Sequence, residues 1–244
     1  MSGVFEEALG GEEGLSGRVR RDGFAVVPGV LDEGALSAFE ESLEGVGAGE
    51  GVRRRGGVYA VRNLLEVLPA ARALANSPAV RALAEPVLGA DCFAVRGVLF
   101  DKTPSAPWKV AWHQDLSVAV RARAEAEGFG PWSIKAGVQY VQPPARVLEG
   151  VLAVRLHLDD CDDANGPLRV LPGSHLYGRL SAEEIVRWRE RARPSTCLVP
   201  RGGAVLMRPL LLHSSPAPRE PRRRRVVHLE FAAEPLPHGL EWRA

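Results

Sequence analysis

In the stretch APWKVAWHQDLSVAV, His113 and Asp115 are separated by one residue. Residues i and i+2 of a strand project from the same face, so an imidazole and a carboxylate at this spacing can reach one metal ion from a rigid element. A catalytic ion needs a further ligand. Two imidazoles and one carboxylate on one face leave three coordination positions open, the arrangement used by non-haem Fe(II) oxygenases. The remaining histidines are His157, His175, His213, His228 and His238. His213 closes the apolar run AVLMRPLLLH, where a strand leaves the core and its side chains turn toward a barrel mouth, and it is the best third ligand. His175 falls in the turn PGSH, His157 and His228 lie within strands, and His238 is close to the C-terminus. H-x-D alone is a weak signal, and a histidine ending an apolar strand is more often a core or rim residue, so the assignment rests on the combination.

Dioxygen activation at Fe(II) requires a two-electron co-reductant. 2-Oxoglutarate can supply it while chelating iron through its 1-carboxylate and 2-oxo group, and its far carboxylate then requires a buried cation. An arginine fork suits that task through two charge-assisted hydrogen bonds. PRRRRVVHLEF supplies Arg222 to Arg225 at the entry to a strand. Alternation puts Arg222 and Arg224 opposite Arg223 and Arg225, and the latter pair shares its side with Val227, Leu229 and Phe231, a surface suited to packing by helices. Arg224 is therefore assigned to the lumen. A solvated basic patch is the competing reading for the other three arginines; no aromatic-studded strand or recognition helix accompanies them.

These groups must be held by a scaffold, and the chain reads helical in its first part and β in its second. RDGFAVVPGVL offers a short strand, and Asp32 caps EGALSAFEESLEGV, whose Leu36, Phe39 and Leu43 recur at helical spacing. GVGAGEGVRRRGG reads as a mobile loop, and NLLEVLPAARALANSPAVRALAEPVLG as two helices split at Ser77-Pro78. From Asp91 the period changes: CFAVRGVLFDKTP, WKVAWHQDLSVAV, VLAVRLHLDD, PLRVLPGSH, GGAVLMRPLLLH and RRVVHLEFAAEP read as strands, with a helix at SAEEIVRWRERAR. The polar, Gly/Pro-marked insertion within 116–150 is longer than an ordinary connection and reads as a lid, with Trp132, Tyr140, Gln139 and Gln142 as substrate contacts. The expectation is one mainly β domain over 1–244 with flanking helices: a helical part of about 1–90 packed on a jelly-roll core of about 91–235.

With 244 residues and 45% hydrophobic side chains, the chain can bury a full core. A net charge of +1 provides no global field to recruit nucleic acid or an anionic membrane, so a small-molecule partner is expected. Cys92, Cys161 and Cys197 are widely spaced and odd in number, which suggests neither a disulfide framework nor a zinc knuckle and points to a reducing cytoplasm. No secretory signal pattern and no run of eighteen apolar residues is seen.

The pieces F100-D-K-T-P, W112-H-Q-D, N165-G-P-L-R-V-L-P-G-S-H, the strand ending L212-H-S-S and the arginine eleven positions beyond His213 resemble, in order, the phytanoyl-CoA dioxygenase family of Fe(II)/2-oxoglutarate-dependent oxygenases. Together they span about residues 24 to 231. The resemblance implies a double-stranded β-helix, or cupin-like jelly-roll, core and the iron triad His113, Asp115 and His213. It also implies that Arg224 pairs with the co-substrate's far carboxylate, that Ser215 hydrogen-bonds beside it, and that Lys102 contacts the co-substrate. Where several members carry a bulky aromatic, this chain has VRLHLDD, placing Arg155, His157 and Asp159 on one face. If that face lines the lumen, Arg155 could bind an anionic substrate group or replace Arg224; if it faces outward, the three form a surface charge cluster.

The expected activity is hydroxylation of a small molecule with release of succinate and CO2, using Fe(II), 2-oxoglutarate and O2. The carboxylate at position 115 argues against halogenation, which needs that coordination site vacated for chloride. The alternatives are a non-redox jelly-roll metal enzyme and an inactive protein that binds metal and 2-oxoglutarate.

Overall fold

The computed structural model describes residues 14–44, 46, 52–54, 58–104, 108–220 and 222–243, with only the backbone of 52–54, 58 and 59. The elements run α1 (Leu15–Asp22), β1 (Phe24–Val27), α2 (Glu33–Glu44), β2 (Val52–Arg54), β3 (Val58–Val61), α3 (Leu64–Val67), α4 (Pro69–Ala75), α5 (Pro78–Leu88), β4 (Phe93–Lys102), β5 (Val110–His113) and β6 (Val118–Val120). They continue β7 (Trp132–Lys135), β8 (Val138–Val141), α6 (Ala145–Glu149), β9 (Val151–His157), β10 (Leu168–Val170), a 3₁₀ turn (Ser174–Tyr177), α7 (Ala182–Arg191), β11 (Ser195–Cys197), β12 (Ala204–Met207), β13 (His213–Ser215) and β14 (Arg224–Ala232). The large sheet has strand order β1-β12-β9-β14-β4-β3-β2, the smaller β11-β10-β13-β5, and a third β6-β8-β7. The fold is a mainly β jelly roll with flanking helices.

The large sheet divides its two faces as the alternation requires. Leu152, Val154, Leu156, Val227, Leu229 and Phe231 join Leu36, Phe39, Leu64 and Leu83 of the helices in one buried cluster. Gly97 lies where that packing is close: a Cβ there would stand 3.0 Å from the Leu65 side chain. The opposite face carries Arg96, Phe100, Lys102, Arg155, His157, Arg224, His228 and Glu230, and cross-strand register sets Arg224 against Lys102 and Glu230 against Arg96.

Helix boundaries follow local chemistry. Asp32 Oδ1 accepts from the Ala35 N–H at 2.8 Å, and Ser181 and Glu184 form a reciprocal capping box at α7. The segment expected to hold two helices holds three, because Leu68 is extended and Pro69 opens a new one. Within the stretch read as a mobile loop, 52–54 pair with β3; the rest of that stretch, apart from Val46, lies outside the described residues.

Two strand expectations need correction. WKVAWHQDLSVAV is two strands, broken where the Gln114 side chain donates to Leu210 O at 2.6 Å and Gly178 O at 2.8 Å and accepts from Leu180 N. AVLMRPLLLH is likewise divided: a turn closed by Leu211 N to Arg208 O follows β12, so His213 begins a strand of the smaller sheet instead of ending one of the larger. The insertion at 116–150 folds as the third sheet and α6. Its Val118, Val120, Phe129, Val141 and Leu148 pack with Leu236, Leu240 and Trp242 near the end of the chain.

Candidate metal centre

β13 lies against β5 with His213 directly opposite His113, and the imidazole centroids are 4.2 Å apart. Asp115 lies two residues past the end of β5, so it reaches the histidines from the irregular link between β5 and β6, anchored by its N–H donating to Pro209 O at 2.9 Å. Its two oxygens sit 3.6 Å from His113 Nε2 and 3.6 Å from His213 Nε2. That spacing is too long for hydrogen bonds and within reach of a shared ion, whose bonds to such atoms run about 2.0–2.2 Å. One atom from each of the three residues lies within 4.8 Å of the other two, and among the described residues no other group of three His, Cys, Asp or Glu converges in this way.

The tautomers suit a metal. His113 Nδ1 is 2.9 Å from Ala111 O and His213 Nδ1 is 2.8 Å from Leu211 O. A carbonyl only accepts, so each Nδ1 carries the proton and each Nε2 lone pair is left facing Asp115. Burial pushes His213 down to about 4, which keeps it neutral and able to donate its lone pair. The residues fit a divalent cation on these grounds.

The centre opens into a cavity of about 190 Å³ lined by Phe100, Trp108, Val110, Arg155, Leu168, Ser214, Ser215 and Arg224 along with the triad, Arg96 and His228. Arg224 is buried, and its Nη1 donates to Gly166 O at 2.6 Å. Ser215 Oγ also donates to Gly166 O, at 2.9 Å, and accepts from Lys102 Nζ at 2.7 Å. Lys102 is fully buried, with Nζ 4.8 Å from the centroid of the Trp108 ring. Burial and then Arg224 push it down to about 7. Arg224, Ser215 and Lys102 thus meet at one carbonyl of the Asn165-Gly166 turn.

Of the residues read as substrate contacts, Arg155 lines the cavity, and its face is the inner one. His157 shares that face but is buried and does not line the cavity. Asp159 lies beyond β9 and pairs with Arg225 at 2.6 Å on the outside. Trp132 and Tyr140 are not among the residues lining the cavity: Arg123 covers Trp132, while Tyr140 is buried directly behind the cavity wall, with Arg96 of that wall and Lys135 against its ring. No lining residue comes from 116–150. Arg222 faces outward and pairs with Asp162. His175 closes a turn, its Nε2 donating to Arg20 O at 3.1 Å. Phe100, Trp108, Arg96 and His228 escaped sequence reasoning. The alternation that placed Arg224 also puts His228 and Glu230 on the inner face, which is the signal that was available.

A family model described as phytanoyl-CoA dioxygenase (PhyH) matches residues 19–226. No curated protein matches the chain. Among solved structures, AviO1 from Streptomyces viridochromogenes Tue57 is similar at 24% identity, covering 90% of this chain and 95% of that one with a TM-score of 0.65. The non-haem α-ketoglutarate-dependent epimerase SnoN from nogalamycin biosynthesis is similar at 24% identity, with 89% and 80% covered and a TM-score of 0.66. EctD from S. alaskensis, solved with 2-oxoglutarate and 5-hydroxyectoine, is similar at 18% identity, with 89% and 74% covered and a TM-score of 0.69.

Proposed function

Because this chain belongs to the phytanoyl-CoA dioxygenase family, we propose that it is a non-haem Fe(II)/2-oxoglutarate-dependent dioxygenase that hydroxylates a small-molecule substrate. The observation that carries this reading is the convergence of His113, Asp115 and His213 with both Nδ1 atoms tied to backbone carbonyls. Bound Fe(II) with 2-oxoglutarate and O2 supplies a two-electron oxidation of a C–H bond coupled to loss of succinate and CO2.

The chain's own groups divide the remaining work. His113 Nε2, His213 Nε2 and one Asp115 oxygen would hold the ion, and the same three residues line the cavity that would receive co-substrate and substrate. Arg224 receives the far carboxylate of the co-substrate, with Ser215 and Lys102 beside it to donate. Phe100, Trp108, Val110 and Leu168 exclude water from the space between. The cavity is smaller than the roughly 300–1,000 Å³ of most small-molecule sites, so the bulk of a substrate sits in the mouth with only its reacting end inside.

The test is succinate formation by anaerobically prepared protein given Fe(II), 2-oxoglutarate and air, with His113→Ala as control, alongside calorimetric titration of 2-oxoglutarate into the metal-loaded protein. Succinate that disappears in the variant supports the oxygenase. No succinate together with no 2-oxoglutarate binding refutes it and favours a non-redox metal enzyme or an inactive scaffold. Similar folds include an epimerase and a carbocyclase, so substrate screens should follow loss or rearrangement of C–H bonds as well as gain of oxygen.

A further inference from the structure

The inner face of the large sheet holds a line of four polar side chains that the proposed reaction does not use. Arg96 Nη1 donates to Glu230 Oε1 at 2.5 Å, the same oxygen is 3.1 Å from His228 Nε2, and His228 Nδ1 is 2.8 Å from Arg155 Nη1. A guanidinium only donates and a carboxylate only accepts, so the middle imidazole has one consistent state. It carries its proton on Nε2, accepts on Nδ1 and is neutral. Burial acts in the same direction on His228. The charge of Arg96 is therefore offset by Glu230, while the hydrogen-bond partner of Arg155 in this line is a neutral acceptor.

Arg155 is left as a cation with no counter-ion in contact; the opposing charge it feels is that of Asp115, a metal-ligand candidate across the same cavity. Among the described residues no carboxylate forms an ion pair with it, and its Nε is buried without a partner. Burial, followed by Arg224, pushes it down to about 10. Uncompensated buried charge is costly, and proteins keep it where a ligand supplies the opposite sign. Nη1 gives one of its two N–H bonds to His228 and Nε is enclosed, so the donors left for a ligand are the second N–H of Nη1 and the two of Nη2, the end-on edge of the guanidinium, which a carboxylate can match. Phe100 lies against the guanidinium, its ring centroid 5.6 Å from Cζ, and restricts the plane of that edge. Arg155 lines the same cavity as the triad.

We infer that the substrate carries an anionic group of the carboxylate type, received by the end-on Nη1–Nη2 edge of the Arg155 guanidinium. The inference rests on the proposed oxygenase reading, in which Arg224 is occupied by the co-substrate. His228, Glu230 and Arg96 are positioning residues: they fix the guanidinium and touch no substrate. An anion on Arg155 anchors the substrate at one end and leaves the C–H bond to be oxidised at a fixed reach from it.

The experiment uses the protein loaded anaerobically with Mn(II) and saturating 2-oxoglutarate, and measures paramagnetic relaxation of small probes by NMR. The probes are acetate, hexanoate and benzoate, each paired with its neutral amide. We expect at least one acid to be relaxed by the bound Mn(II) about tenfold or more above its amide, the scale of losing charge-assisted bonds to a guanidinium. Arg155→Met should remove that difference, Arg155→Lys should restore part of it, and 2-oxoglutarate affinity should stay within about threefold in both because a separate cation holds it. Equal relaxation of every acid and amide, or a difference that persists in Arg155→Met, overturns the inference. So does a large loss of 2-oxoglutarate affinity in a folded Arg155→Met or Arg155→Lys, which would move Arg155 to the co-substrate. Failure of the unmodified protein to bind 2-oxoglutarate at all is a separate result, read in the loading step, and it overturns the oxygenase reading along with this one.

Discussion

Replacing Arg224 with Met tests the co-substrate assignment and separates an oxygenase from a metal isomerase, which has no use for the cation. The far carboxylate would lose two hydrogen bonds to a charged donor, each contributing about 1.5–3 kcal/mol. Lys102 limits the loss. Its Nζ, held 2.7 Å from Ser215 Oγ, is pushed down to about 7 by burial and by Arg224, so removing Arg224 lets it hold its proton more firmly and compensate in part. A net loss of about 2–4 kcal/mol follows, or 2-oxoglutarate binding weakened about 30- to 1,000-fold. The fold should tolerate the change: Gly166 O keeps the hydrogen bond from Ser215 Oγ, so one neutral acceptor loses one of its donors at a cost of about 1 kcal/mol, and Tm should move by no more than about 4 °C. Mn(II) affinity should not change, since Arg224 is not among the converging ligands. The assay is anaerobic calorimetry of 2-oxoglutarate into Mn(II)-loaded protein, with thermal melts in parallel. Binding weakened less than about fivefold in a folded variant would refute the argument, because even one lost charge-assisted bond is worth more.

Three further outcomes are expected. Asp115→Ala should lower Mn(II) affinity by more than the 10–100-fold that loss of an outer-shell partner costs, and abolish succinate formation; an unchanged titration would remove Asp115 from the ligand set. Lys102 has a folded pKa depressed from 10.5 to about 7, so the stability it withholds is complete below about 7 and is recovered as pH rises from there toward 10.5. Lys102→Met should therefore gain more stability over the unmodified protein at pH 6 than at pH 9, measured by urea unfolding, and a gain independent of pH would show that Lys102 titrates normally. Gly23→Ala forces a φ of +83° on a residue with a Cβ and brings that atom 2.5 Å from His175 Nδ1 and 2.8 Å from Leu211 Cδ1. A cost of about 2–5 kcal/mol and a fall in Tm of about 5–15 °C should follow, and a fall under about 2 °C would mean that the turn relaxes freely.

The triad was legible because its chemistry is local or nearly so: an imidazole and a carboxylate one residue apart, and a histidine at the end of an apolar run. Alternation was enough to choose Arg224 from four arginines, since Val227, Leu229 and Phe231 declare the outer side of β14. The same rule placed Arg155 and His157 on one face but could not say which, because that depends on the strands flanking β9. The breaks at Gln114 and Arg208 were invisible for a related reason. The three hydrogen bonds of the Gln114 side chain go to residues 64 to 96 positions away. Trp132 and Tyr140 read as part of a cover because of an unusual length of polar chain, and the strands that hold them were not visible as such, although 116–150 has enough alternating Val, Ala and Tyr to build a sheet of its own.

The pairing of His213 with His113, and of Arg224 with Lys102 in the facing sheet, has a consequence for the life of the chain before it is finished. Each pair joins residues about a hundred positions apart, and contacts of that separation form late because long loops must close first. A ribosome-bound chain that has not yet emitted β13 has one imidazole, one carboxylate and no anion-binding arginine from β14. It has neither a complete ligand set nor a co-substrate pocket. A slip of one residue between β13 and β5 would present Ser214 where His213 belongs and turn the histidine to the other face of the sheet. On the proposed reading, the chain could therefore bind iron and co-substrate together only after β13 and β14 have emerged and both registers are correct.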